Sequence, residues 1–192
     1  TELERVLEEA EEAGLLVEID MESSAYVERT LAVFREVRAR HERVGVCLQA
    51  ALRRTGADVF HLPERSRVRL VKGAYLEPPE IAYQRRADVD RAFRRLFATL
   101  LGLGHDVDVA THDEALIAGV RRLIARRGVE PSRVEFQMLY GVRRDLQGRL
   151  AAEGHPVRVY VPYGTEWYPY LTRRLAERPA NLWFFVTSLV RR

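Results

Sequence analysis

The sequence predicts an α/β protein built on a parallel sheet, and two observations carry that prediction. Apolar runs of strand length alternate with segments whose apolar residues recur at helical spacing. Strands separated by helices are joined by crossovers, so they run parallel. Six such units in 192 residues leave two arrangements open: an open doubly wound sheet, or part of an eight-unit barrel, which typically needs about 250 residues. No linker or second core is evident, so residues 1–192 are expected to form a single domain.

The first half of the chain alternates regularly. Leu3, Val6 and Leu7 recur at helical spacing behind a capping-box pair, Thr1 and Glu4, and Gly14 is placed to end that helix. A strand is predicted at 15–20, because apolar residues alternate there. A helix at 24–41, a strand at 44–49, a short helix at 50–55 and a strand at 67–75 follow.

The second half repeats the pattern after Pro78 and Pro79 interrupt regular structure. Helical spacing predicts helices at 88–103, 113–127, 142–152 and 166–177. Apolar, β-branched runs predict strands at 107–111, 134–139 and 157–161 and an extended segment at 182–186.

Composition excludes several classes of protein. The net charge of +3 comes from arginines scattered among 28 acidic residues, so no basic stripe indicates nucleic acid. No run reaches the ~18 apolar residues of a membrane-spanning helix. The single cysteine, Cys47, lies among apolar residues and favours a cytoplasmic setting without disulfides. The histidines lack ligand spacing, so no metal is expected, and no glycine-rich phosphate loop appears.

Polar residues stand at the carboxyl ends of the predicted strands. That edge of a parallel sheet forms one opening, where α/β proteins bind ligands. The expected convergence includes Asp20, Gln49, Lys72, Thr111, His112, Gln137 and Tyr160. His112 fits either a ligand contact or the entry to a helix. Polar loops alone would account for about half of such residues, but less readily for Gln137 in an otherwise apolar strand.

Two further patterns indicate a small anionic ligand. Lys72 is the only lysine among 31 basic residues, and Gly73 and Ala74 after it allow backbone and ligand to approach closely. Arg173 and Arg174 could clamp one carboxylate through paired hydrogen bonds, beside Tyr170. The alternative is a solvated basic helix face, since Arg-Arg pairs recur in this sequence.

Five segments together resemble the motifs of the proline dehydrogenase family, and the similarity covers essentially the whole chain. They are Arg-Leu-Val-Lys-Gly-Ala-Tyr at 69–75, Ala-Thr-His at 110–112, Glu-Phe-Gln-Met-Leu at 135–139, Tyr-Val-Pro-Tyr-Gly at 160–164 and Tyr-Leu-Thr-Arg-Arg at 170–174. The resemblance implies a distorted (βα)8 TIM barrel, incomplete at the N-terminus, with the final helix over the barrel mouth. The family's first strands and its active-site lysine would precede Thr1, and Lys72 is not that lysine.

The resemblance also implies a function: FAD-dependent oxidation of L-proline to Δ1-pyrroline-5-carboxylate, with electrons passed to a quinone. Quinone reduction would bring a cytoplasmic protein to the inner face of the plasma membrane. Carried over by motif, Asp20 and Arg69 would be catalytic. The flavin would be held by Met21, Gln49, Arg69, Lys72, Gly73, Ala74, Thr111 and His112. The substrate would be held by Arg173, Arg174, Tyr160, Tyr170, Tyr75 and Leu139, and Glu177 would orient the arginines.

Two other functions fit the same residues. A barrel lyase or aldolase would use Lys72 as a Schiff base. A non-catalytic module would keep the carboxylate clamp without a flavin.

Overall fold

The structure is a computed structural model that describes residues 1–164. Its helices are α1 Glu2–Glu12, α2 Val27–Arg38, α3 Thr55–Asp58, α4 Arg86–Gly102, α5 Glu114–Arg127 and α6 Arg144–Ala152. Its strands are β1 Val17–Ile19, β2 Val44–Gln49, β3 Arg67–Val71, β4 Asp106–Ala110, β5 Val134–Leu139 and β6 Val157–Tyr160. Short 3-10 turns lie at Ser24–Tyr26, Val59–His61 and Pro131–Arg133. The predicted helix at 166–177 and the extended segment at 182–186 lie outside the described residues.

The six strands form one sheet in sequential order, and every neighbouring pair is parallel. A doubly wound sheet would reverse its strand order at a switch point. Here the order never reverses, and right-handed crossovers therefore place successive helices on the same face. The sheet curls into a half-barrel, so the open doubly wound alternative is wrong for this part of the chain.

The two faces of the sheet differ in chemistry. Val68 and Leu70 of β3 are fully buried in the apolar core that also contains Phe93 and Phe97 of α4. The alternate residues face the inside of the curl, where Arg69 lies in register with Asp108. The inward face therefore carries charges that must find partners in the interior.

Most predicted elements are present, with shifts at their ends. Thr1 and Glu4 form the predicted capping box of α1. The predicted strand at 67–75 is too long, because β3 ends at Val71 and Gly73 has a left-handed φ of 107°. The short helix predicted at 50–55 was also wrong, since α3 spans Thr55–Asp58. None of the helices within residues 1–164 is long and apolar enough to cross a membrane.

Candidate active site

Arg69 is held at the carboxyl edge of the sheet by two neighbours from distant parts of the chain. Its Nε donates to Oε1 of Gln137 at 2.7 Å, and its Nη1 donates to Oδ1 of Asp20 at 2.7 Å. The Arg69 side chain is 16% exposed and that of Asp20 is 61% exposed, so the pair bridges the interior and the mouth. Nη2 of Arg69 has no hydrogen bond within the described chain and remains available to a ligand.

A polar network beneath this pair fixes its position. Gln137 Nε2 donates to Glu135 at 3.0 Å, and Arg158 donates to both oxygens of Glu135 at 2.6 and 3.0 Å. Burial alone would raise the pKa of Glu135, but the hydrogen bonds from Arg158 and Gln137 lower it below its ordinary value. Glu135 is therefore ionised at neutral pH, and it anchors a chain of hydrogen bonds that leads to Arg69.

A second ion pair in the same interior joins β3 to β4. Arg67 makes a bidentate contact with Asp108, with distances of 3.0 Å from Nε and 2.6 Å from Nη2. Burial raises the pKa of the fully buried Asp108, and the bonds from Arg67 oppose that rise. Removing either partner would leave the other as an uncompensated charge in the interior.

Glu18 has a different environment from these paired carboxylates. It lies in register with Gly45, and a Cβ on Gly45 would approach its Oε2 to 2.8 Å. Both of its carboxyl oxygens are buried and have no hydrogen-bond partner within residues 1–164. Burial raises the pKa of Glu18 to about 8, although the charge of Arg69 opposes this. At neutral pH Glu18 is therefore mainly a neutral acid beneath the Arg69 layer.

Gln49 and Gly73 form a close-packed part of the mouth. The buried Gln49 side chain donates from Nε2 to the carbonyl oxygen of Glu22 at 2.7 Å. A Cβ on Gly73 would lie 3.0 Å from Gln49 Oε1 and 3.1 Å from the Cβ of Ala51. Together with the left-handed φ, this contact restricts position 73 to glycine. Ala74 follows it, so small residues line this stretch.

Lys72 is paired with carboxylates that the sequence reasoning missed. Its Nζ lies 2.7 Å from Asp113 and 2.7 Å from Asp90, and Asp113 also pairs with Arg86 at 2.7 Å. Although burial would raise the pKa of Asp113, hydrogen bonds from Lys72 and Arg86 keep it well below its ordinary value. Asp113 also caps α5, accepting from the amides of Ala115 and Leu116. No pattern along the chain marks Asp90 or Asp113 as a partner of Lys72, because both meet Lys72 only once α4 and α5 have packed against the sheet.

His112 joins the ends of two strands. Its Nε2 accepts a hydrogen bond from the backbone amide of Leu139 at 2.9 Å. Burial, and secondarily the charge of Arg143, lowers the pKa of His112 to about 4, so the ring is neutral at pH 7. Leu139 is in turn in register with Tyr160. His112 thus fixes the position of the Leu139 backbone, which belongs to the predicted substrate wall. Its neighbour Thr111 accepts a hydrogen bond at Oγ1 from the backbone amide of Asp113 at 3.1 Å.

The loop after β3 is tied to the segment after β1. The Tyr75 hydroxyl donates to the Glu22 carboxylate, and Ser24 donates from its amide and its hydroxyl to Glu77 at 2.7 Å each. Met21, beside Asp20, is buried. Glu22 was not singled out from the sequence. The predicted residues Tyr170, Arg173, Arg174 and Glu177 lie outside the described residues.

The half-barrel places these polar side chains at the carboxyl ends of its parallel strands, which is the edge where α/β proteins bind ligands. Within residues 1–164, no group of three or more acidic, histidine or cysteine side chains is arranged for a metal. The family model for proline dehydrogenase matches residues 2–186. The chain belongs to the proline dehydrogenase family.

Named relatives show the same similarity. A proline dehydrogenase of Deinococcus radiodurans is 45% identical over 194 aligned residues, which cover 100% of this chain and 63% of that protein. Proline dehydrogenase 1 of Bacillus subtilis is 39% identical over 193 residues, covering 100% of this chain and 64% of that protein. The chain therefore spans less than two thirds of the length of these relatives.

Solved structures agree on the fold. Proline utilization A from Bdellovibrio bacteriovorus, solved after inactivation by N-propargylglycine, has a TM-score of 0.79 and 28% identity, covering 86% of this chain and 20% of that one. A bifunctional proline utilization A protein has a TM-score of 0.80 and 25% identity, covering 91% of this chain and 20% of that one. These similarities support the α/β half-barrel fold of this chain.

Proposed function

We propose that the protein containing this chain oxidises L-proline to Δ1-pyrroline-5-carboxylate with a bound FAD and passes the electrons to a quinone. The observation that carries the proposal is Arg69, which Gln137 and Asp20 hold at the carboxyl edge of the sheet. A fixed guanidinium at that edge stabilises negative charge in a ligand. Membership of the proline dehydrogenase family identifies the reaction that such a site would serve.

The residues of the mouth fit a flavin. Ala74 keeps the side chain at this part of the mouth small, and Nη2 of Arg69 has no hydrogen bond within the described residues. Met21, Gln49, Lys72, Thr111 and His112 complete the proposed cofactor site. A bound flavin supplies the hydride acceptor for the carbon beside the proline nitrogen.

The chain itself contributes charge and positioning. Arg69 provides the main positive charge toward the flavin, because Lys72 already faces two carboxylates. Lys72 instead links β3 to the first turns of α4 and α5, which fixes the Gly73 backbone. Asp20 orients Arg69 and places negative charge where a substrate amine would approach. The neutral His112 holds the Leu139 backbone in place.

The proposed substrate site combines residues within 1–164 with residues that follow position 164. Tyr75, Tyr160 and Leu139 would wall the proline ring and exclude water, together with Tyr170. Arg173 and Arg174, oriented by Glu177, would hold the substrate carboxylate.

The contacts of Lys72 disfavour the Schiff-base alternative. A nucleophilic lysine is activated by an apolar pocket or a neighbouring cation. Lys72 instead lies 2.7 Å from each of two carboxylates. The non-catalytic alternative differs from the proposed oxidation in flavin content, because it requires that the protein binds proline without binding a flavin.

Visible spectroscopy and kinetics test the proposal. The purified protein that contains this chain should be yellow, and anaerobic L-proline should bleach the flavin absorbance. Arg173→Met or Arg174→Met should raise KM for proline by orders of magnitude, measured with a soluble dye acceptor, while bound flavin stays the same. Arg40→Met removes an exposed arginine just after α2 and Arg149→Met removes an exposed arginine of α6, and both should leave KM unaltered. A colourless protein would overturn the flavin proposal, and an unchanged KM would refute the clamp.

A further inference from the structure

The Glu18 carboxyl is a buried titratable group to which the proposed function assigns no role. Its position depends on Gly45 of β2, with which Glu18 is in register. A Cβ at position 45 would lie 2.8 Å from Glu18 Oε2 and 3.1 Å from the carbonyl oxygen of Arg67. The carboxyl therefore lies over β2, in the space that a glycine leaves open, close to the backbone of β3.

This carboxyl has no partner that could balance a charge. Neither of its oxygens has a hydrogen bond within residues 1–164, and both are shielded from solvent. Burial raises the pKa of Glu18 to about 8, and the nearby charge of Arg69 opposes the rise. Once Glu18 ionises it needs a cation, because an unpaired buried charge costs far more than a buried neutral acid.

The other titratable groups that act on Glu18 cannot supply that cation. Asp20 at the end of β1 and Asp108 of β4 both raise the pKa of Glu18 further through their negative charges. The Cys47 thiol of β2 is buried, and burial, together with charges that include Glu18, raises its pKa, so it stays a neutral thiol. Arg69 is therefore the group that an ionised Glu18 would attract.

Of the two inward-facing arginines of β3, Arg69 is the one that can change partners. Arg67 is bound through two hydrogen bonds to the fully buried Asp108. Arg69 has single contacts to the neutral amide of Gln137 and to Asp20. The Asp20 side chain is 61% exposed, so water also solvates its charge and weakens the pair.

An ionised Glu18 would compete well for this guanidinium. Its charge would be out of reach of water, and a charge-assisted hydrogen bond is stronger in such surroundings than at the exposed mouth. We propose that Glu18 is a positioning residue, which leaves Arg69 at the mouth while it is protonated and draws the guanidinium into the interior when it ionises. This inference rests on the proposed function, in which Arg69 provides the main positive charge toward the flavin.

Crystal structures of the protein that contains this chain, at pH 6 and pH 9.5, test the position of Arg69 directly. At pH 6 Arg69 should bind Gln137 and Asp20, and at pH 9.5 one of its nitrogens should lie within hydrogen-bond distance of a Glu18 oxygen. In Glu18→Gln the contacts seen at pH 6 should persist at pH 9.5. Unchanged contacts of Arg69 in the wild type at both pH values would overturn the proposal.

The crystallographic comparison needs no flavin, so it separates this inference from the proposed function. A colourless protein would contradict the proposed function, whereas the position of Arg69 at the two pH values would still decide the role of Glu18.

The rate of flavin reduction by L-proline gives the functional readout. The rate of Glu18→Gln is divided by that of the wild type at each pH, so that ionisation of the proline amine cancels. This ratio should rise by at least about tenfold between pH 6 and pH 9.5, because losing one donor to developing charge costs on the order of 10²-fold. Glu8→Gln, at an exposed position of α1, should show no such rise. A purely structural role of Glu18 would give a ratio independent of pH, and that result would overturn the proposal.

Discussion

Replacing Glu18 with glutamine should change how stability depends on pH. The unpartnered Glu18 carboxyl has its pKa raised from an ordinary 4.5 to about 8 by burial. A raised carboxyl pKa means that the folded state favours the protonated form. Protonated Glu18 stabilises the folded state fully below pH 4.5, the pKa of Glu18 in the unfolded chain, and this stabilisation is lost as pH rises toward about 8.

The magnitude follows from the size of the shift. Each pKa unit corresponds to about 1.36 kcal/mol, and between pH 5 and pH 9 the wild-type protein should lose about 4 kcal/mol through Glu18 alone. Glu18→Gln keeps the shape of the neutral acid and cannot ionise. The variant should therefore gain about 4 kcal/mol relative to wild type across this interval.

Urea unfolding at pH 5, 7 and 9 measures the difference. Glu8→Gln, at an exposed position of α1, serves as the control and should follow the wild-type profile. Parallel stability profiles for wild type and Glu18→Gln would refute the reasoning, because they would show that Glu18 has the same pKa in the folded and unfolded states.

Two further predictions concern the mouth. Gly73→Ala should destabilise the fold by more than about 1 kcal/mol and reduce flavin retention, because of its φ of 107° and its contact with Gln49. Gly102→Ala in α4, where the added Cβ meets open space, should instead stabilise the fold by up to about 1 kcal/mol. Urea unfolding measures both changes in stability, and two changes of the same sign would contradict the strain argument. The pKa of His112 is lowered to about 4 in the folded protein. Neutral His112 therefore stabilises the fold above pH 6.5, and this stabilisation is lost as pH falls toward 4. His112→Asn should remove about 3 kcal/mol of this acid destabilisation in denaturant titrations, whereas His61→Asn on the surface should not.

The sequence predicted the elements better than their ends. All six strands within residues 1–164 are found, because each combines apolar periodicity with a bounded length. The strand after Ser66 was overextended because Lys72, Gly73 and Ala74 carry no pattern that separates a strand from a loop. Periodicity alone could not choose between a barrel and a doubly wound sheet, since strand order is a property of pairing and local sequence does not encode it; the family resemblance favoured the barrel.

The same limit applies to the site. Strand-end residues such as Asp20 and Lys72 could be found because the carboxyl edge is defined by the strands themselves. Their partners could not, because Asp90 and Asp113 meet Lys72 only after two helices pack against the sheet.

Gln137 explains how the polar interior and the mouth work as one unit. Its amide accepts from Arg69 through Oε1 and donates to Glu135 through Nε2. A glutamate there would repel Glu135, and a methionine would leave Arg69 and Glu135 each short of a partner in a buried position. Only a side chain with one donor end and one acceptor end joins a guanidinium to a carboxylate in this order. That requirement accounts for a polar residue in the otherwise apolar strand β5, and it makes the orientation of Arg69 depend on the amide of Gln137.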